Sequence, residues 1–336
     1  MSDTGHVRHG HIPLVESTRG AIVESVHYGS LAVVSATGTP ILSAGAPNAP
    51  VYARSALKPL QLVAMIRAGL DLPDELLALG ASSHSGAAAH QAGAERILAL
   101  HGLDPAVLRN VADLPAGGPE RDAWLRAGGR PTRLAQNCSG KHAAMASTCV
   151  INGWPVDDYL DPAHPLQRLI EATIAEFTGE NATAASIDGC GSPVFAYSLS
   201  GIARAYARLG ASSPNSAEGR VVAAMRRHPD MVAGDGRDVT RLMRAVPGLV
   251  AKEGAEAVQA VGLSDGIGIA VKVADGGDRA RLPITIGILR MLGVDRTLLA
   301  NLTCPATLGG GRPVGGLRVA ETLFDNFRTS SIESAL

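Results

Sequence analysis

The sequence predicts an α/β sandwich: an antiparallel sheet closed by strands from both ends of the chain, with helices on both faces. Two observations predict it. β-branched runs gather near the start and again over 249–277, and the stretch between them carries helical periodicity. The elements follow in order. "AIVESVHYG" (21–29) and "LAVVSAT" (31–37) read as two strands, and the turn "GTP" with "ILSAG" extends them into a meander. Three glycine-closed helices come next, "ALKPLQLVAMIRAG", "PDELLALG" and "AAAHQAGAERILALHG". The segment 112–135, rich in Gly, Pro and Arg, reads as a surface loop. "SGKHAAMASTCVINGW" (139–154) reads as a buried helix and "HPLQRLIEATIAEFTG" (164–179) as an amphipathic one. "VFAYSLSGIARAYARLG" (194–210) and "EGRVVAAMRRHP" (218–229) read as further helices. "LVAKEGAEAVQAVGL" and "GIGIAVKVADGG" return to strand character, and one helix, a loop and a short tail close the chain. That loop holds "GGGRPVGG", which lacks the Gly-Lys-Ser/Thr of a phosphate loop and reads as a turn. Residues 1–13, with His6, His9 and His11, are expected as a flexible tail, and 14–336 as one domain.

Composition narrows the classes. With 336 residues, 46% of them apolar, the chain can bury a sizeable core, and at 3% aromatics Leu, Val, Ala and Ile must fill it. A net charge of −1 offers no footprint for nucleic acid or an anionic membrane. The opening "MSDTGHVRHGHIPLVESTRG" has no apolar h-region, and no uninterrupted apolar run of about 18 residues marks a membrane span. Cys138, Cys149, Cys190 and Cys304 are too few and too scattered for a disulfide framework, and fit reduced thiols in a cytoplasm.

Lysine usage is the unusual feature. Among 30 Lys and Arg residues only Lys58, Lys141, Lys252 and Lys272 are lysine. Arginine stays protonated in proteins, whereas a buried lysine can lose its proton and act as a base or a ligand. In "RSALKPLQ" (54–61), Ser55 caps a helix expected to start at Ala56, and Lys58 lies three positions on, on the same face. An amine there can take the proton of a serine that is otherwise a poor nucleophile, beside the positive end of a helix dipole. Alone, the pattern equally describes a serine N-cap beside a solvated lysine. "ALGASSHSG" (78–86) adds Ser83, and "VAKEGAEA" (250–257) adds Lys252 two residues before a glycine. Ser-x-x-Lys, a later Ser and a later Lys-x-Gly is the layout of serine β-lactamases and penicillin-binding proteins. Taken singly, the second serine also reads as a polar turn and Lys252 as an edge-strand gatekeeper.

"NCSGKHAAM" (137–145) holds Cys138 and Lys141 three apart, and "IDGCGSP" (187–193) holds Cys190. Thiolates suit zinc, yet no Cys-x-x-Cys pair exists, and spacing alone reads these as free buried cysteines. The ordered set "RSALKPLQ", "ASSHSG", "NCSGKHAAM", "IDGCGSP", "MVAGDGRD", "AKEGAEA" and "GIAVKVADG" resembles the motifs of the rhizobial-type L-asparaginases, the asparaginase II family, from about residue 14 to residue 320. The resemblance implies a serine β-lactamase-like fold, a homodimer, and hydrolysis of L-asparagine to L-aspartate and ammonia. It implies that Ser55 with Lys58 and Ser83 with Lys252 are two catalytic tandems. It implies further that Cys138, Lys141 and Cys190 hold a metal, typically zinc. Asp188 would support these groups or orient substrate, and Arg54, His84 and His142, in the same motifs, are carried as substrate-binding or supporting residues. Lys272 matches a strand motif and receives no role. Where many members have an acidic residue soon after Ser-His-Ser, this chain reads "SHSGAAAH".

The expected function is therefore a serine amidohydrolase acting on asparagine, with Ser55 as nucleophile and Ser83 as the alternative. A glutaminase or penicillin-recognising enzyme is the rival among enzymes. A catalytically silent asparagine sensor or zinc-binding protein is the rival outside them.

Overall fold

A computed structural model describes residues 10–324. The chain opens with β1 (Ile12–Arg19), β2 (Ile22–Val34), β3 (Pro40–Ala44) and β4 (Pro50–Tyr52). A 3₁₀ turn at Arg54–Leu57 leads into α1 (Lys58–Arg67), followed by α2 (Asp74–Gly80), α3 (Ala88–Ala99), α4 (Gly118–Arg126), α5 (Ser139–Asn152) and α6 (Pro165–Thr178). Proline stands in the first turn of α1, α4 and α6, where a missing N–H removes no helical bond. Left-handed Gly153 and Gly179 end α5 and α6. Then come β5 (Ala184–Ile187), β6 (Pro193–Ser198), α7 (Leu199–Gly210), α8 (Ala217–Arg227), α9 (Pro229–Val232) and α10 (Asp238–Ala245). The last elements are β7 (Val250–Gly254), β8 (Val258–Gly262), β9 (Gly268–Val273), α11 (Arg281–Met291), α12 (Arg296–Leu299), β10 (Ala306–Gly309) and β11 (Arg312–Val319).

One eight-stranded sheet runs β10-β11-β1-β2-β9-β8-β7, with β3 also on β2, and every pairing is antiparallel. A small second sheet runs β4-β6-β5. Strand alternation puts helices on both faces of the large sheet. Gly262 and Gly268 are register partners facing α7, where an added Cβ would meet the carbonyls of Tyr206 and Ala203. Gln259, on the opposite face of β8, accepts a 2.9 Å hydrogen bond from Arg281 at the start of α11. The expected α/β class, with an antiparallel sheet and helices on both faces, is borne out. No helix among the described residues is long and apolar enough to cross a membrane.

Several boundaries differ from the sequence expectation. β2 is one strand of 13 residues where two were expected. Gly29 makes no turn there; it has no Cβ because Leu14 and the Lys272 carbonyl press against it. Residues 193–198 are a buried strand instead of a helix start, and Ser198 caps α7 by accepting from Gly201 N at 2.9 Å. "GGGRPVGG" makes the turn and much of the second strand of a hairpin, with Gly310 and Gly311 left-handed at the turn. The segment 112–135 contains α4. Ile12 and Pro13, expected in the tail, pair with Gly29 and Tyr28, and His11 Nδ1 lies 2.8 Å from Ser30 Oγ. His6 and His9 lie outside the described residues.

The edge strand β7 sits directly on the 54–57 turn. A Cβ on Gly254 would collide with Ala53 O and lie 3.2 Å from Ala56 N. Gly254→Ala is therefore expected to destabilise the protein by about 1–3 kcal/mol, read as a lower denaturant midpoint.

Candidate active site

The turn at 54–57 differs from the expected capped helix. Ser55 caps nothing with its side chain; the residues 54–57 form a 3₁₀ turn and α1 begins at Lys58 itself. Arg54 sits at φ +52°, a left-handed conformation unfavourable for a residue with a Cβ. Asp188 holds it there, accepting from Arg54 Nε at 2.5 Å while also taking the Gly189 N–H at 2.8 Å. Ser55 is partly exposed, and its hydroxyl makes no hydrogen bond among the described residues.

Lys58 is buried, and its amine meets three groups: Ser82 O at 2.5 Å, Ser83 Oγ at 3.0 Å and Cys138 Sγ at 3.0 Å. The expected contact between Ser55 and Lys58 is thus replaced by one between Ser83 and Lys58. As the first residue of α1, Lys58 sends its side chain inward to the Ser82–Ser83 segment, away from the exposed lip of the turn. Nor does Lys252 bond Ser83. It is fully buried, donates to Glu253 O at 3.0 Å, and lies 3.0 Å from Glu253 Oε1. Burial lowers its pKa to about 8, opposed by Glu253 and assisted by Lys58. The two amines are therefore electrostatic neighbours.

His84 is also buried, with Nε2 2.9 Å from Ser139 Oγ and its ring stacked on His90 at 4.9 Å. Burial, then His90, Lys58 and Lys252, hold its pKa well below the usual imidazole value. Ser85 donates to Glu120 Oε1 at 2.7 Å. A carboxylate therefore reaches this segment from α4, although none follows Gly86 in the sequence.

The third group lies where α5 meets the β5–β6 loop. Lys141 Nζ donates to Ser192 Oγ at 2.7 Å and to Cys190 Sγ at 3.2 Å. The proximity of Cys138, with Lys141 and His142, holds Cys190 well below the usual thiol range, while Cys190 and burial push Cys138 up. Burial works against a charge on Lys141, but Cys190 and Cys138 outweigh it and raise its pKa. His142 joins Tyr159 Oη at 2.9 Å and Ser192 Oγ at 3.3 Å, and burial, then Lys141, lowers its pKa to about 4. No three His, Cys, Asp or Glu side chains cluster as a metal site among the described residues. The candidate donor set has only two thiols and takes a lysine as its third member. Lys272 donates to the carbonyls of Glu256 and Val273, both at 2.5 Å, clasping a turn whose residues Glu256 and Ala257 have positive φ.

Sequence reasoning missed Ser192, Tyr159, Glu120 and Glu253. Ser192 and Glu253 lie inside quoted motifs, one residue from a named glycine or lysine; nothing local signals the other two.

Buried amines, two of them against serine hydroxyls, beside a strained turn that carries a further serine, are suited to acyl-transfer chemistry. A sequence model of L-asparaginase II matches residues 15–319, and the chain belongs to that family. Membership puts it among amidohydrolases, with a small-molecule substrate. No curated protein matches the chain. Among solved structures, the native form of a protein called Mglu aligns at 17% identity and TM-score 0.42, over 84% of this chain and 66% of its own. The chain thus spans just under two thirds of that protein's length. A putative β-lactamase from Bacteroides dorei aligns at 13% identity and TM-score 0.43, over 78% of this chain and 93% of its own. A β-lactamase from Mycobacterium bovis aligns at 14% and 0.45, over 78% and 94%. At such scores these likenesses carry no weight for function.

Proposed function

We propose that the protein is a serine amidohydrolase that converts L-asparagine to L-aspartate and ammonia. The observation that carries this reading is Lys58, three residues after Ser55 and bonded to Ser83 at 3.0 Å. Amide hydrolysis needs a base for the nucleophile and an acid for the departing nitrogen, and a lysine bonded to one serine and three residues from another can serve both. Ser55, the more accessible hydroxyl, attacks the side-chain carbonyl while the Lys58 amine, turned from its resting contact with Ser83, takes its proton. The Oγ–C bond forms, the C–N bond breaks, and the proton passes from Lys58 through Ser83 to ammonia. Water then cleaves the acyl-Ser55 ester, releasing aspartate and restoring the hydroxyl. Backbone N–H groups of the nucleophile's own turn face the developing oxyanion. A second reading makes Ser83 the nucleophile, and its 3.0 Å contact with Lys58 favours it.

The buried thiols of Cys138 and Cys190, close enough to perturb each other's ionisation, with the Lys141 amine 3.2 Å from Cys190, fit zinc as a soft donor set. Zinc held there would orient substrate and fix the adjoining loops rather than generate hydroxide, because two thiolates offset its charge.

The test is ammonia release from L-asparagine, L-glutamine and nitrocefin hydrolysis in parallel, with and without added zinc. Asparagine is expected to be the preferred substrate. Calorimetric binding of asparagine with no ammonia released would instead identify a sensor. The pH profile adds a second check. If neutral Lys252 serves as the second base, kcat/KM for asparagine should rise with pH through about 8 and level off above it. Lys252→Met should remove that limb; a flat profile in the unmodified protein would exclude Lys252 as a base.

A further inference from the structure

A chain of buried hydrogen bonds reaches the Cys138, Lys141 and Cys190 set from residues outside every motif quoted above. Tyr159, in the connection between α5 and α6, is fully buried, and its Oη has two partners among the described residues. It accepts the backbone N–H of Arg109 at 2.9 Å and lies 2.9 Å from His142 Nδ1. A backbone N–H only donates, so the phenol proton has one acceptor left to it. Given to Nδ1, that proton satisfies both groups. With a proton already on Nδ1, the buried phenol hydrogen would have no acceptor, a costly arrangement. Nδ1 is therefore bare, and an imidazole with one bare nitrogen carries its proton on the other.

His142 Nε2–H accordingly points at Ser192 Oγ, 3.3 Å away, with Cys190 alongside. Ser192 is buried in the β5–β6 loop, and its other partner is Lys141 Nζ at 2.7 Å. Ser192 Oγ, anchored by His142, accepts from the amine and holds it 3.2 Å from Cys190 Sγ. The residue after Arg109 steadies the other thiol. Asn110 Nδ2 donates to Gln136 Oε1 at 3.0 Å, and the same oxygen accepts the Cys138 N–H at 2.9 Å. A lysine stem has many rotamers, and a ligand must be kept in one of them. Hydrogen-bonded partners behind the ligands supply that restraint in metal sites generally.

We propose that Tyr159, His142 and Ser192 are positioning residues for the metal: the phenol fixes the Nε2–H tautomer of His142, and His142 with Ser192 holds the Lys141 amine at the thiols. The proposal rests on the zinc reading above and adds the groups that pre-form the site. Two measurements on the full-length chain test it. Heteronuclear NMR of the zinc-free protein with isotope-labelled histidine should find the His142 proton on Nε2, the signals being assigned by their loss in His142→Gln. Competition with a chromophoric chelator should show that Tyr159→Phe and Ser192→Ala each weaken zinc binding about 10- to 100-fold. Both variants keep the side chain's shape and remove one oxygen, and circular dichroism checks that each is folded. Either one carries the affinity test if the other fails to fold. A chain that only satisfied buried polar groups would lower the denaturant midpoint and leave zinc affinity unchanged. That result, or a His142 proton on Nδ1, would overturn the proposal. The unmodified, reduced chain is measured first: if it binds no zinc, the zinc reading falls and the positioning role with it, whereas tight binding by the unmodified chain and both variants overturns the positioning role alone.

Discussion

Ser55→Ala is expected to lower kcat for asparagine by about 10³-fold or more, with little change in stability. The size follows from chemistry, because without this hydroxyl there is no acyl-enzyme and the second half of the cycle has no substrate. The small structural effect follows from environment. Ser55 is partly exposed and its hydroxyl caps no helix and bonds no neighbour among the described residues, so truncation leaves none of their groups unsatisfied. Ser83→Ala makes the informative contrast. In the proposed mechanism its hydroxyl relays a proton to the leaving nitrogen, and its loss should cost about 10²-fold, the scale of one proton-transfer group. Equal and complete loss in both variants would favour Ser83 as nucleophile. Near-full rates in both would remove the serine mechanism altogether.

Lys58→Met should be as damaging to catalysis, about 10³-fold in kcat, and should also touch stability. Methionine fills the space of the stem, but the Ser82 carbonyl, the Ser83 hydroxyl and the Cys138 thiol all lose their common partner. Leaving such groups unpaired costs about 1–3 kcal/mol, and removing a buried amine offsets part of it. The net expectation is a loss of about 1–2 kcal/mol, read from the denaturant midpoint. Lys58→Arg should not restore activity: arginine carries a fork of five donors and keeps its proton, whereas the role needs an amine that can give the proton up.

The sequence marks these positions because lysine is rare in it. Four lysines in a chain of arginines single out Lys58, Lys141 and Lys252, and all three are buried among hydroxyls, thiols or a carboxylate. Their pairing is less legible. Spacing puts Lys58 near Ser55, yet the helix begins at Lys58, and that shift of two residues turns the amine toward Ser83. Helix starts are set by backbone geometry around Arg54, whose left-handed φ depends on Asp188, far away in sequence. Glu120 is a similar case, since its approach to Ser85 depends on how α4 packs across a span of 35 residues.

The same distinction runs through the fold. Long periodic helices such as α5 and α6 agree with the sequence expectation to within two residues. Short apolar runs do not, because a buried strand and a buried helix turn look alike over six residues; "PVFAYS" is the example. Glycine misleads where it permits close approach instead of a turn. At Gly29 the strand passes straight through, because the space a side chain would fill belongs to Leu14 and the next strand. In the β10–β11 hairpin, glycine-rich sequence hides a strand held by backbone pairing alone.

The most direct measurement is intact-protein and peptide mass spectrometry after rapid acid quench of the enzyme turning over L-asparagine. An aspartyl ester on Ser55, absent without substrate and absent in Ser55→Ala, is the predicted result. Ammonia release at full rate with Ser55 unmodified throughout, or the adduct on Ser83 instead, would contradict the account.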